Sequence, residues 1–141
     1  MKLLVASDIH GSALWCEALM KSIEAQTPDK VILLGDLLYH GPRNPLPDGY
    51  APREVAAMLN GMAERIVAVR GNCDSEVDQM MLRFPCLGDY ALVLDGAKTL
   101  FATHGHVFGP DNVPFLPSGS VVLSGHTHIQ TNRAQDGLLF A

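Results

Sequence analysis

Apolar runs in this chain are short, and several of them end on a small cluster of polar residues. Leu3-Leu4-Val5-Ala6-Ser7 reads as a buried strand bounded by Asp8-Ile9-His10-Gly11. Ser12 then stands where it can cap a helix running to about Ala25. The apolar positions Trp15, Leu19 and Ile23 recur there at helical spacing, and Glu17 sits four residues before Lys21. Val31 to Leu34 is a second strand, ended by Gly35-Asp36, and a Pro/Gly-rich loop follows from about Tyr39 to Ala51. Pro52 opens a helix whose Val55, Met58, Leu59 and Met62 form an apolar stripe. Arg65 to Val69 is a third strand, ended by Gly71-Asn72-Cys73-Asp74, and a short helix covers Glu76 to Leu82.

Beyond that point the pattern turns to β. Tyr90 to Leu94 and Thr99 to Thr103 read as a hairpin about Asp95-Gly96. Val121 to Ser124 is another strand, and Ile129 to Ala141 forms a second hairpin about Asp136-Gly137. The first half is therefore βαβαβ with a parallel sheet and the second half mainly β. The expected fold is α/β, a two-sheet sandwich flanked by helices, in a single domain spanning residues 1–141.

Composition narrows this picture. The chain has 141 residues, 48% of them hydrophobic and 18% charged, enough for a core without disulfide staples. Three cysteines, Cys16, Cys73 and Cys86, show no metal-knuckle spacing and suit free thiols in a reducing compartment. No stretch has the length of a signal peptide or a membrane span, so the expected location is the cytoplasm. The formal charge of −5 argues against nucleic acid or an anionic membrane as partner. A small anion at a local metal site remains compatible with it.

The polar clusters carry the chemistry. Asp8-Ile9-His10, Gly35-Asp36, Gly71-Asn72-Cys73-Asp74, His104-Gly105-His106 and Gly125-His126-Thr127-His128 each follow an apolar run. In an open α/β sheet such strand ends meet in one crevice. Each cluster alone has an innocent reading as a turn or a strand end. Their joint occurrence does not, since five of the six histidines fall within them. Two carboxylates, four histidines and one asparagine amide oxygen are mixed N/O ligands for borderline divalent ions. Seven ligands exceed one tetrahedral site, whereas two ions sharing Asp36 would use all of them.

These five blocks resemble those of the calcineurin-like metallophosphoesterase superfamily. The chain looks most similar to its small bacterial YfcE-type phosphodiesterases, through Gly71-Asn72-Cys73-Asp74 and the loop from Gly35 to Asn44. The resemblance implies a dinuclear site, most often supplied with Mn2+, with Fe, Zn, Ni, Co and Mg as alternatives. It implies that Asp8, His10 and His128 hold one ion, that Asn72, His104 and His126 hold the other, and that Asp36 bridges them. His106 matches no ligand position and is expected to orient a ligand by hydrogen bond. The implied reaction is hydrolysis of a small phosphate ester, a diester in preference to a monoester, by a metal-bound hydroxide.

Two departures from the family pattern stand out. Many members carry histidine after the Gly-Asn pair, placed to assist the leaving group, and Cys73 stands there instead. It reads equally as a catalytic group, with Asn72 and His104, or as a small buried apolar residue. Relatives also continue past the second hairpin, so the last strands of one sheet are expected to be missing and an apolar edge exposed. Self-association into a homo-oligomer is expected from the family and favoured by such an edge. Arg43 and Asn72 are the candidate substrate-binding residues, although Arg43 also reads as a solvated surface arginine. The rival function is a non-catalytic protein-interaction scaffold on the same fold, against which the complete ligand set argues.

Overall fold

Three parallel strands organise the first half of the chain in the computed structural model, which describes residues Met1 to Ala141. They are β1 (Leu3–Ala6), β2 (Lys30–Leu33) and β3 (Ile66–Ala68), in the order β1-β2-β3. Leu4 pairs with Val31, and Ile32 with Val67. Val31, Ile32 and Leu33 have no exposed surface, as expected of a parallel strand covered on both faces. Val31 and Leu33 pack toward the helices, while Ile32 packs toward the second sheet.

Local chemistry sets the helix ends. In α1 (Ala13–Gln26) the Ser12 hydroxyl accepts from the Trp15 N–H, and Thr27 closes the helix in the left-handed region. Helix α2 (Pro52–Asn60) begins on proline, whose missing N–H costs nothing there. Helix α3 (Glu76–Met81) opens on a reciprocal Ser75/Asp78 capping box. A 3-10 turn at Ala63–Arg65 precedes β3. The buried face of α1 runs through Ala13, Cys16 and Ile23, not through Trp15 as the spacing predicts. Trp15 is 66% exposed and lines a broad groove against the loop that follows Gly125.

The second sheet holds β4 (Tyr90–Asp95), β5 (Lys98–Thr103), β6 (Val121–Leu123), β7 (Arg133–Gln135) and β8 (Leu138–Phe140), in the order β4-β5-β6-β8-β7. It is mixed: the two hairpins are antiparallel, and β6 runs parallel to both β5 and β8. The β7–β8 hairpin turns on Asp136-Gly137, both at positive φ, a two-residue turn of the type that suits twisted strands. It is shorter than the predicted Ile129–Ala141 because strand pairing begins only at Arg133.

Ile32, Leu34 and Val69 meet Ala102 and Leu123 in a core between the two sheets. Helices cover only the outer face of the first sheet. On the outer face of the second sheet, Phe101, Val122 and Phe140 lie beneath Phe108, Val113 and Leu116 from the loop joining β5 to β6. The β7 edge is polar and exposed throughout. The exposed apolar edge lies instead on β4, through Tyr90, Leu92 and Leu94.

Candidate metal centre

All five polar clusters reach one crevice, because β1, β2, β3, β5 and β6 deliver their C-terminal ends to the same side. Backbone bonds lock the loops together. His10 N–H donates to the Asp36 carbonyl at 2.8 Å, Asp8 N–H to Gly35 at 3.1 Å, and Gly125 N–H to His104 at 2.9 Å. Two glycines permit the close approach. A Cβ on Gly71 would collide with the Asp36 carboxylate, and one on Gly125 would meet Asp8 Oδ2 at 2.6 Å and collide with Ser7.

Hydrogen bonds aim the side chains. His104 Nδ1 lies 2.7 Å from the Leu34 carbonyl and His10 Nδ1 lies 2.9 Å from that of Tyr39, so in each ring Nδ1–H donates and Nε2 faces the crevice. His104 Nε2 then looks onto Asn72 Oδ1 at 3.0 Å, His126 Nδ1 at 3.2 Å and Asp36 Oδ2 at 3.3 Å. His10 Nε2 is buried without a hydrogen-bond partner, 3.6 Å from both Asp8 Oδ1 and Asp36 Oδ2. His128 Nε2 lies 3.2 Å from Asp8 Oδ1 on a half-exposed ring. Asp36 is itself held by the Cys73 N–H at 2.8 Å, and Asp8 by Ser7 and the His126 N–H.

Charge follows the geometry. Burial raises the Asp8 pKa, but His10, Ser7 and the His126 N–H outweigh it and hold the carboxyl far below the usual range. Burial also works against ionisation of Asp36, and His104 with the Cys73 N–H brings its pKa down. The Asp8 carboxylate raises His10, while at His104 the pull of Asp36 prevails over burial. Ring nitrogens of His104 and His126, Asn72 Oδ1 and two carboxylates therefore converge, and a hydrogen or a cation must lie between them. A proton is one solution and a metal cation the other. Borderline divalent ions fit this donor set.

Ligand atoms fall into overlapping groups, each within 4.8 Å: Asp8, His10 and His128; Asp8, Asp36 and His104; His10, Asp36 and Cys73. The first is the set expected for one ion. The third adds Cys73, which the sequence offers only as a catalytic or packing residue. Its thiol is pushed up to about 12 by burial and the Asp36 charge, so it is a neutral group as it stands.

Backbone conformation marks the same residues. Asp8, His10, Asp36, His126 and His128 all have φ between 48° and 71°, five of the seven non-glycine residues at positive φ. Left-handed backbone at such positions costs on the order of 1–3 kcal/mol each and clusters at functional sites.

One positioning residue was not singled out from sequence. Asp74 is buried, and its carboxylate accepts the N–H groups of Asp36 at 2.8 Å, Leu37 at 3.0 Å and Gly71 at 2.7 Å. It ties the loop after β2 to the loop after β3. The acidic end of Gly-Asn-Cys-Asp was the available signal. His106, by contrast, makes no hydrogen bond to a candidate ligand; it is exposed and stands edge-on to His104 with ring centroids 5.3 Å apart. Arg43 is exposed and forms no ion pair, although its charge acts on the Cys73 thiol.

The whole chain, residues 1–141, matches the family model for the calcineurin-like phosphoesterase superfamily domain. It is 51% identical over 129 residues to phosphodiesterase YfcE of Escherichia coli K12, covering 92% of this chain and 70% of that protein. The solved structure of YfcE, a phosphoesterase from E. coli, superimposes with a TM-score of 0.97 at 46% identity, over 99% of this chain and 77% of that one. Vacuolar protein sorting 29 from Cryptosporidium parvum shares the fold, with a TM-score of 0.64 at 16% identity over 98% of this chain and 70% of that one.

Proposed function

The chain belongs to the calcineurin-like phosphoesterase superfamily, and from that premise we propose that it is a phosphodiesterase acting on small diesters with two divalent ions, manganese by preference. Asp8, His10 and His128 would hold one ion and Asn72, His104 and His126 the other, with Asp36 between them. Bound there, divalent ions supply Lewis acidity and make water a usable nucleophile at neutral pH. The observation that carries this reading is the convergence of ring nitrogens, an amide oxygen and two carboxylates around His104 Nε2, a donor set that suits divalent cations.

The protein's own groups have distinct tasks. The Leu34 and Tyr39 carbonyls fix the tautomers of His104 and His10, so both rings present lone pairs without reorganisation. Asn72 Nδ2 donates one hydrogen to Cys73 Sγ at 3.4 Å, which leaves its second N–H for a phosphoryl oxygen. Cys73 lies in this group as a neutral thiol, a weak donor that gives a poor leaving group little help. Arg43, exposed and unpaired, with its charge felt at Cys73, is available for bidentate contact with the phosphate. The Cys73 thiol, held neutral by burial and the Asp36 charge, is not activated as a nucleophile. The three free thiols suit a reducing compartment, hence the cytoplasm.

The direct test uses metal-stripped protein on a chromogenic diester and the corresponding monoester, with and without manganese. Manganese-dependent cleavage favouring the diester is expected. Asp36→Asn should nearly abolish it, because Asp36 lies within reach of both histidine clusters. Substantial turnover by that variant would sink the two-ion arrangement, and no cleavage with any divalent ion would sink the hydrolase.

A further inference from the structure

Beside the metal centre a cleft of about 350 Å3 opens between the loop after β2, the start of α2 and the start of α3. Cys73 lines it and belongs also to the ligand group with His10 and Asp36, so the cleft adjoins the candidate metal centre. Its size falls within the range of small-molecule pockets. Its walls are apolar although water reaches them: Tyr39 is 42% exposed, Val77 66% and Met81 40%. Exposed apolar side chains around a concavity, next to a site built for a charged group, fit a ligand with one anionic and one apolar part.

The tyrosines give the cleft its character. His40 stands edge-on between Tyr39, at 4.8 Å between ring centroids, and Tyr50, at 5.3 Å, and braces both. Tyr39 is further fixed because its carbonyl accepts from His10. Tyr50 is held by a bridge to Ser12. Two braced aromatic walls receive a flat ring at low entropic cost. The polar lining residues do not contradict this. The Asp78 carboxylate is taken up by the Ser75 N–H and hydroxyl, and Arg53 is unpaired and able to lie over a ring face.

We propose that this cleft seats an aromatic ester arm of the substrate, with Tyr39, Tyr50, Val77 and Met81 determining specificity. The proposal rests on the phosphoesterase reading. Ring stacking and burial are shared by a simple aryl group and a nucleobase, and the test separates the two.

Manganese-loaded protein is assayed on bis(p-nitrophenyl) phosphate and on thymidine 5′-(p-nitrophenyl phosphate). Calorimetry then compares the binding of phenylphosphonate with that of inorganic phosphate. Val77→Trp fills the cleft from an exposed position, and Met81→Glu adds charge at a second exposed wall. Each variant should raise KM about tenfold, the cost of losing one buried ring. Each should also erase the advantage of phenylphosphonate while leaving the affinity for inorganic phosphate intact. A larger penalty on the thymidine ester assigns a nucleoside arm, and equal penalties assign aromatic arms in general. Unchanged KM with an unchanged phenylphosphonate advantage would overturn the proposal, as would equal loss of both anions, since the variants would then be acting on the metal centre. If wild-type protein neither cleaves nor binds phosphate, the phosphoesterase reading itself fails and takes the proposal with it.

Discussion

Removing the Asp74 carboxylate tests how the site is held, separately from what it binds. In Asp74→Ala three backbone N–H groups, those of Asp36, Leu37 and Gly71, lose their acceptor, and residues 36, 37 and 71 are all buried. A buried donor left unsatisfied costs on the order of 1–3 kcal/mol. Burial and the nearby Asp36 charge raise the Asp74 pKa, so part of the loss is recovered when this charge is removed. Taking the low end for each donor gives a net cost of about 3 kcal/mol. For a chain of this length the unfolding entropy is about 0.3 kcal/mol per degree, so Tm should fall by about 10 °C. The measurement is thermal unfolding in chelator, which keeps metal affinity out of the comparison. Asp74→Asn, which keeps one acceptor oxygen, should fall between the variant and wild type. A loss under about 2 °C for Asp74→Ala would mean that other groups or water satisfy the three donors, and the tie between the two loops would be refuted.

Other outcomes follow from the same geometry. Cys73→His should shift the ratio of monoesterase to diesterase rates, because Cys73 lies with His10 and Asp36; an unchanged ratio would put it outside the reacting groups. Arg43→Ala should mainly raise KM, and a wild-type KM would remove Arg43 from substrate contact. The metal-free protein should lose stability as pH rises above 6.5. His10 and His104 are raised above that value in the fold, so their stabilising protonation is complete below it and lost on passing through the folded pKa values. His106, lowered by burial and His104, works in the opposite direction, one group against two. Thermal unfolding in chelator from pH 6 to 8 checks this, and a Tm that climbs across the range would contradict it.

Much of this arrangement was legible because strand ends carry their own punctuation. Apolar runs such as Val31 to Leu34, stopped by Gly35-Asp36, report both a buried strand and the loop after it. The candidate ligands were therefore recognisable by position as well as by type. What escaped depends on which side a residue faces. Trp15 fits the helical spacing of α1 yet turns to solvent, because Ala13, Cys16 and Ile23 supply the packing surface. The role of Asp74 was hidden because its partners are backbone N–H groups, which leave no trace in side-chain identity. The cleft beside Cys73 joins residues from about Leu38 to Met81 that share no periodicity, so only the folded chain brings them together. The apolar edge was expected near Ala141, but β7 is polar, and the exposed apolar positions alternate along β4.

Left-handed backbone at Asp8, His10, Asp36, His126 and His128 has a meaning for descent as well as for chemistry. While hydrolysis is under selection, the cost of these conformations is borne at every generation. Once selection for catalysis lapses, replacement by glycine or asparagine relaxes the backbone at once. Loss of these candidate ligands is then favoured by stability and not merely tolerated. A lineage turning this fold to another use would therefore shed these five residues quickly.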